Sequence, residues 1–296
     1  MNRIGQALFS FLVLVSLFSC GPAADFVASP HSGTAPLDVQ FENQSKRADS
    51  YSWDFGDETS SEAEAPTHTY VHSGNYRVRL TAHKGKKSRV TERQVYVQAP
   101  ENCLVIIHTS LGDMVVELYD ATARHRDNFL KLAEQGFYDS LLFHRVIQGF
   151  MIQGGDPDSR QARPGQQLGM GGPGYTVPAE FVDTLFHIKG ALAAARQGDA
   201  VNPTKASSGS QFYIVHGRKF TEAELDRIEA QTGMRFSPEQ RKAYQTIGGA
   251  PFLDGNYTVF GRVIKGLDVI DRIAAQAVDA NNRPKTDIKM WMEVVK

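Results

Sequence analysis

The run Phe143-His144-Arg145-Val146-Ile147-Gln148-Gly149-Phe150-Met151-Ile152-Gln153-Gly154-Gly155-Asp156 decides how the larger part of this chain is read. It lies among short strand-like segments, and neighbours on a strand point to opposite faces, which sets His144 and Arg145 apart. Upstream, Leu104-Val105-Ile106-Ile107 and Met114-Val115-Val116-Glu117-Leu118 read as two strands around a Leu111-Gly112-Asp113 turn. Asp120 to Gln135 reads as a helix. Ala123, Phe129, Leu130, Leu132 and Ala133 form its apolar face, and Gly136 is a stop. Downstream come a Gly/Pro-rich loop, further strands and a final helix from Leu267 to Ala277. This part of the chain is expected to be a β-barrel with capping helices.

Residues 25–99 read as a separate all-β unit. Phe26, Val39, Phe41, Tyr51, Trp53, Val78 and Leu80 sit in alternating patterns, and Ser29-Pro30, Ser73-Gly74-Asn75 and Lys84-Gly85-Lys86 mark turns. Short strands at regular spacing argue for a small β-sandwich. Trp53-Asp54-Phe55-Gly56-Asp57, Pro66-Thr67-His68-Thr69-Tyr70 and Gly74-Asn75-Tyr76 resemble the PKD domain, an immunoglobulin-like module, over nearly all of 25–99. Trp53 and Phe55 are expected in the core, with Asp54 and Asp57 fixing the turn. Glu58 stands where that family usually has Gly. Gln98-Ala99-Pro100-Glu101-Asn102 is the linker, too short and too varied to act as a long flexible tether.

Two further blocks follow the opening run in order: Gly209-Ser210-Gln211-Phe212-Tyr213-Ile214 and Leu253-Asp254-Gly255-Asn256-Tyr257-Thr258-Val259-Phe260-Gly261. Together the three are similar to the signature of cyclophilins. The resemblance covers residues 103–296 apart from an insertion at 218–250. It implies a peptidyl-prolyl cis–trans isomerase that acts on proline-containing polypeptides and needs neither cofactor nor metal. The whole chain is therefore expected to be mainly β, a sandwich followed by a barrel with a helical insertion.

The chemistry can be argued from the residues that the resemblance singles out. An X-Pro bond turns slowly because amide resonance must be broken, at a barrier of roughly 20 kcal/mol. No covalent bond changes. A catalyst must favour the twisted amide, whose prolyl nitrogen regains a lone pair, over the planar one. A fixed hydrogen-bond donor does this, and arginine suits the task because it stays charged and holds its donors in a rigid fork. The resemblance makes Arg145 that donor and Gln153 its orienting neighbour. A charged hydrogen bond nets about 1.5–3 kcal/mol, one to two orders of magnitude in rate at about 1.4 kcal/mol for each. The remainder must come from a dry, shaped pocket. The resemblance assigns that pocket to Phe150, Met151, Tyr213, Leu253 and Phe260, with Gln211 and the backbone of Ala195 and Arg196 holding the peptide.

The chain departs from the family at four positions. Tyr213 replaces Phe and adds a hydroxyl at the pocket floor. Phe252 stands where animal members have Trp, which implies weak cyclosporin binding, and Tyr257 stands where they have His. Arg196 replaces the common Asn. His144 is expected to be structural, since isomerisation transfers no proton. Within the insertion, Thr221-Glu222-Ala223-Glu224 and Ser237-Pro238-Glu239-Gln240 are capping boxes that predict two short helices, the first with Leu225 and Ile228 on its apolar edge. The insertion is expected near Tyr213 and Leu253, either selecting protein substrates or bracing the barrel.

At the N-terminus, Arg3 precedes an apolar run from Ala7 to Phe18, too short to span a bilayer but suited to a signal peptide. Leu17-Phe18-Ser19-Cys20-Gly21 resembles a bacterial lipobox, which implies a leader at 1–19 and a lipid on Cys20. The alternative is a secreted protein cut near Ala23 or Ala24. Lipidation implies a protein of the bacterial cell envelope held firmly to a membrane, on the periplasmic side or the cell surface. It leaves Cys103 without a disulfide partner, and its apolar surroundings predict a buried structural thiol.

Several other functions find no support. A net charge of -1 provides no basic field for nucleic acid. Gly169-Met170-Gly171-Gly172-Pro173-Gly174 matches a dinucleotide pattern, but Pro173 and Tyr175-Thr176-Val177-Pro178 do not open a helix. Two cysteines lack zinc spacing, and the acidic turn near Asp57 lacks the spacing of a calcium loop. Two other roles compete with the enzyme reading. One is a non-catalytic module that captures proline segments. The other is an adhesion role in which the PKD domain binds glycan or protein, although spacing the enzyme from the membrane is the plainer role for a sandwich. A monomer is the default.

Overall fold

The computed structural model describes residues 21–296; the leader expected at 1–19 and the lipidation expected at Cys20 lie outside them. The chain divides between Gln98 and Ala99 into two units.

The first unit is a sandwich. One sheet holds the strands Phe26–Ser29, Leu37–Asn43 and Thr67–Tyr70; the other holds five, with Gly74–Lys84 and Lys87–Gln98 as its long antiparallel pair. Alternation decides the core: Val39 and Phe41 point in and their neighbours point out. Phe26 meets Trp53 edge-on at 5.1 Å, and Phe41 lies 5.3 Å from Phe55. Trp53 is buried, and its indole N–H donates to the Ala63 carbonyl at 2.9 Å. Tyr51, two residues before Trp53 on the same strand, is half-buried. Asp54 caps the turn by accepting from the Gly56 N–H at 3.0 Å. Asp57 accepts from the Thr59 hydroxyl and pairs with His68, each at 2.6 Å. Burial opposes ionisation of Asp57, but these partners outweigh it and hold its carboxyl below the ordinary range.

The second unit is built on a nine-stranded antiparallel sheet. Its strands run in the order Leu141–Leu142, Lys289–Val294, Leu104–Thr109, Gly112–Leu118, Val259–Lys265, Ala191–Ala194, Phe212–Val215, Met151–Gly154 and Arg145–Ile147. The two edges belong to one short stretch of chain. Leu141 and Leu142 pair with the C-terminal strand, while Arg145 to Ile147 pair with Met151 to Gln153. The run that opens the sequence reading is therefore the seam of the barrel, and curling the sheet onto this seam covers both edges.

Four helices accompany the sheet: α1 (Ala123–Glu134), α2 (Glu222–Thr232), α3 (Pro238–Thr246) and α4 (Leu267–Ala274). A 3-10 turn at Asp120–Thr122 precedes α1, and α4 stops three residues before the expected Ala277. Phe129, Leu132 and Ala133 of α1 and Val269, Ile270 and Ile273 of α4 join the barrel core. Both expected capping boxes are formed, at Thr221/Glu224 and Ser237/Gln240, and Gly233 ends α2 at φ 75°. The insertion has a small core of its own, formed by Phe220, Leu225, Phe236 and Tyr244. Arg241 of α3 ties it further, reaching Asp226 and Glu229 of α2 at 2.9 Å each. Cys103 is half-buried rather than buried, because it stands one residue before its strand, at the rim of the barrel.

Candidate active site

Register across the sheet assembles the site. Arg145 pairs with Gln153, Gln153 with Tyr213, Tyr213 with Ala193, and Ala193 with Val259, so one row of side chains crosses five strands on a single face. The adjacent row, Val146, Ile152, Ile214 and Leu192, points the other way and is fully buried in the barrel core. The strands thus fill the barrel with one set of residues and build a pocket on the outside with the other. On this outer face Met151, Ala193, Ala195, Tyr213, Leu253 and Val259 form a second apolar cluster, with Phe150 and Tyr257 half-buried against it.

The pocket within that cluster has a volume of about 160 Å³. Ligand sites for drug-sized molecules run to about 300–1,000 Å³, so this one has room for a single small ring. Arg145, Phe150, Met151, Gln153, Ala195, Tyr213, Leu253 and Tyr257 all line it, together with Arg196. At its edge the Arg145 guanidinium donates to Gln153 Oε1 at 3.2 Å. Gln153 Nε2 donates to Gln211 Oε1 at 3.1 Å, and Gln211 Nε2 to the Gly171 carbonyl at 2.7 Å. This chain of amides orients a half-buried cation against an apolar wall, where charge interactions are stronger than in open water.

Other expected site residues are placed differently. Phe260 does not line the pocket. It alternates with Val259 and faces the barrel core, 5.4 Å from Phe129, so Val259 takes the position on the pocket side. Phe252 is 43% exposed and sits at the rim, its ring 5.5 Å from Phe150. The Ala195 N–H donates to the Gln211 carbonyl at 3.0 Å and its carbonyl accepts from Ser208 at 2.8 Å, so Ala195 serves as a wall rather than a free peptide-binding edge. The Arg196 side chain is 4.6 Å from the centre of the Tyr257 ring and donates to the Asn256 carbonyl at 2.7 Å, which braces that side of the pocket. His144 faces away from Arg145 and is buried; burial pushes its imidazole down to about 4, so it is neutral at ordinary pH.

Behind the pocket floor lies a network that the sequence reading missed. The Tyr213 hydroxyl is 2.9 Å from His187 Nε2, and His187 Nδ1 is 2.8 Å from Asp254 Oδ1. The other Asp254 oxygen accepts from the Tyr244 hydroxyl of α3 at 2.6 Å. With Nδ1–H donating to the carboxylate, His187 Nε2 accepts a hydrogen bond from the Tyr213 hydroxyl, which satisfies every group in the chain. Burial raises the Tyr213 hydroxyl well above the ordinary phenol range and keeps that proton in place. The one signal in the sequence was the extra hydroxyl itself, since a buried tyrosine needs a partner.

Comparison with known proteins agrees with this architecture. Residues 104–294 match the family described as cyclophilin type peptidyl-prolyl cis-trans isomerase, and residues 21–99 match the PKD domain. A Staphylococcus saprophyticus protein assigned as a peptidyl-prolyl cis-trans isomerase is 39% identical over 189 residues, covering 62% of this chain and 87% of its own. A Streptococcus pyogenes protein assigned as a bifunctional phosphatase/peptidyl-prolyl cis-trans isomerase is 38% identical over 192 residues, and this chain spans 37% of its length. Among solved structures, a Cryptosporidium parvum cyclophilin type isomerase is similar at 24% identity and a TM-score of 0.47, covering 65% of this chain and 97% of its own. The pocket, its arginine and the strands that carry them thus lie within the matched residues, and the chain belongs to the cyclophilin-type peptidyl-prolyl cis–trans isomerases, with a PKD domain ahead of the isomerase domain.

Proposed function

We propose that this protein accelerates isomerisation of X-Pro bonds in polypeptides of the bacterial cell envelope, with Arg145 as the donor to the prolyl nitrogen. The observation that carries this reading is the Arg145–Gln153–Gln211 chain at the lip of a pocket of about 160 Å³. The proline ring enters between Met151, Tyr213 and Leu253. Arg145 then faces the nitrogen, whose lone pair appears only as the amide twists, so its hydrogen bond strengthens on the way to the transition state. Gln153 keeps the guanidinium from swinging into solvent, and the preset geometry lowers the cost of orientation. None of these residues takes or gives up a proton.

The test is the cis–trans exchange rate of a short Ala-Pro peptide with and without the protein. Acceleration of two orders of magnitude or more at catalytic concentration supports the reading. Tight binding with no acceleration would favour a proline-capturing module. The envelope location rests on the lipobox around Cys20. Replacing Cys20 with Ala is expected to move the protein from the membrane fraction to the soluble one and to abolish labelling by a fatty-acid analogue. Unchanged fractionation would contradict lipid anchoring.

A further inference from the structure

Beside the pocket lies a groove of about 800 Å³, walled on one side by the 181–186 loop of the barrel and on the other by the segment joining α2 to α3. Phe181, Leu185 and Phe186 from the loop and Met234 and Phe236 from the joining segment line it. The groove and the pocket share a wall. Tyr257 lines both, and on the neighbouring turn Leu253 lines the pocket while Asp254 lines the groove. This wall is held from behind: Asp254 accepts from the His187 backbone N–H at 2.9 Å and from the Tyr244 hydroxyl at 2.6 Å, joining the 187 segment, the turn and α3.

We infer that this groove is an extended subsite for the same polypeptide whose proline occupies the pocket, and that it takes apolar side chains flanking the X-Pro bond. The inference rests on the isomerase reading above and adds to it what the enzyme selects. Three observations lead to it. The groove continues from the pocket across a single side chain, so an extended strand at about 3.3 Å per residue crosses it within a few residues. Most of its surface is apolar; Asp183, Arg235 and Glu239 hold their charges at exposed positions, and the buried Asp254 carboxylate is taken up by His187 and Tyr244, which suits leucine- or phenylalanine-like side chains better than charged ones. Its wall is fixed by buried hydrogen bonds, so little ordering is required when a chain binds. Met234 and Phe236 come from the insertion, which gives that element a role in substrate choice.

The experiment compares three kinds of Ala-Pro peptide: a tetrapeptide too short to leave the pocket, ten-residue peptides with Leu and Phe on one flank or the other, and length-matched peptides with Ser in those places. The wild type is expected to act on one apolar decapeptide with at least tenfold higher kcat/KM than on its Ser counterpart, mostly through KM. Met234→Ser and Phe181→Ser, on opposite walls, are each expected to reduce that preference to within threefold and to leave the tetrapeptide rate unchanged. No preference in the wild type, or a preference that both variants keep, overturns the inference while the isomerase reading stands. Loss of tetrapeptide turnover by the wild type would overturn the isomerase reading instead. The Met234 methyl signal reads the groove without turnover: a shift on adding the apolar decapeptide but not its Ser counterpart supports the subsite, and a signal unmoved by both overturns it.

Discussion

At the scale of single residues, the site depends on side chains that cannot act alone. Arg145 is aimed by Gln153, and Gln153 is itself held by Gln211. Replacing Gln153 with Leu is expected to lower kcat/KM about tenfold, since the guanidinium loses its anchor but keeps its charge; stopped-flow or exchange kinetics would measure this, and an unchanged rate would remove Gln153 from the mechanism. His144 contributes to stability rather than to chemistry. Its folded-state value of about 4 lies below the ordinary 6.5, so the unfolded chain binds this proton first as pH falls. Stability from this group is complete above pH 6.5 and lost between 6.5 and about 4, on the order of 3 kcal/mol in all. Denaturant titrations across that range should show a smaller loss in His144→Phe than in the wild type. The residues that could be read from the sequence were those in contiguous blocks. The block that contains Phe260 places it near the site without fixing its face, and strand alternation turns Val259 toward the pocket side and Phe260 toward the core. His187 was invisible because its partners stand 26 and 67 positions away.

At the scale of elements, local signals were legible and long-range pairing was not. Both insertion helices were marked by capping boxes, whose hydrogen bonds span three residues. The seam at 141–147 pairs with a strand near the C-terminus, a contact that no local pattern announces. The same distinction governs Glu58 in the sandwich, where the family's usual Gly has a visible reason. Glu58 adopts φ 70°, a left-handed conformation that costs a non-glycine residue about 1 kcal/mol. Glu58→Gly is therefore expected to stabilise the first unit by up to about 1 kcal/mol, read as a higher denaturant midpoint; a lower midpoint would mean that the Glu58 side chain contributes more than the strain it bears.

At the scale of the whole molecule, each unit has its own core, the sandwich around Trp53 and the barrel around Ile107, Ile152 and Ile214. Calorimetry of the full chain is expected to resolve two unfolding steps, and a proline peptide that binds the folded barrel should raise only the step of residues 99–296. A single step shifted as a whole would show that the two units unfold cooperatively. The central claim concerns the reacting bond itself, so the most direct measurement separates binding from turnover in Arg145→Ala. Exchange NMR on an Ala-Pro peptide yields both quantities in one sample. The account predicts that the variant still binds the peptide within about threefold of the wild type while its exchange rate falls by one to two orders of magnitude or more. A variant that exchanges as fast as the wild type, or that loses rate only in proportion to lost binding, would contradict a donor acting on the prolyl nitrogen.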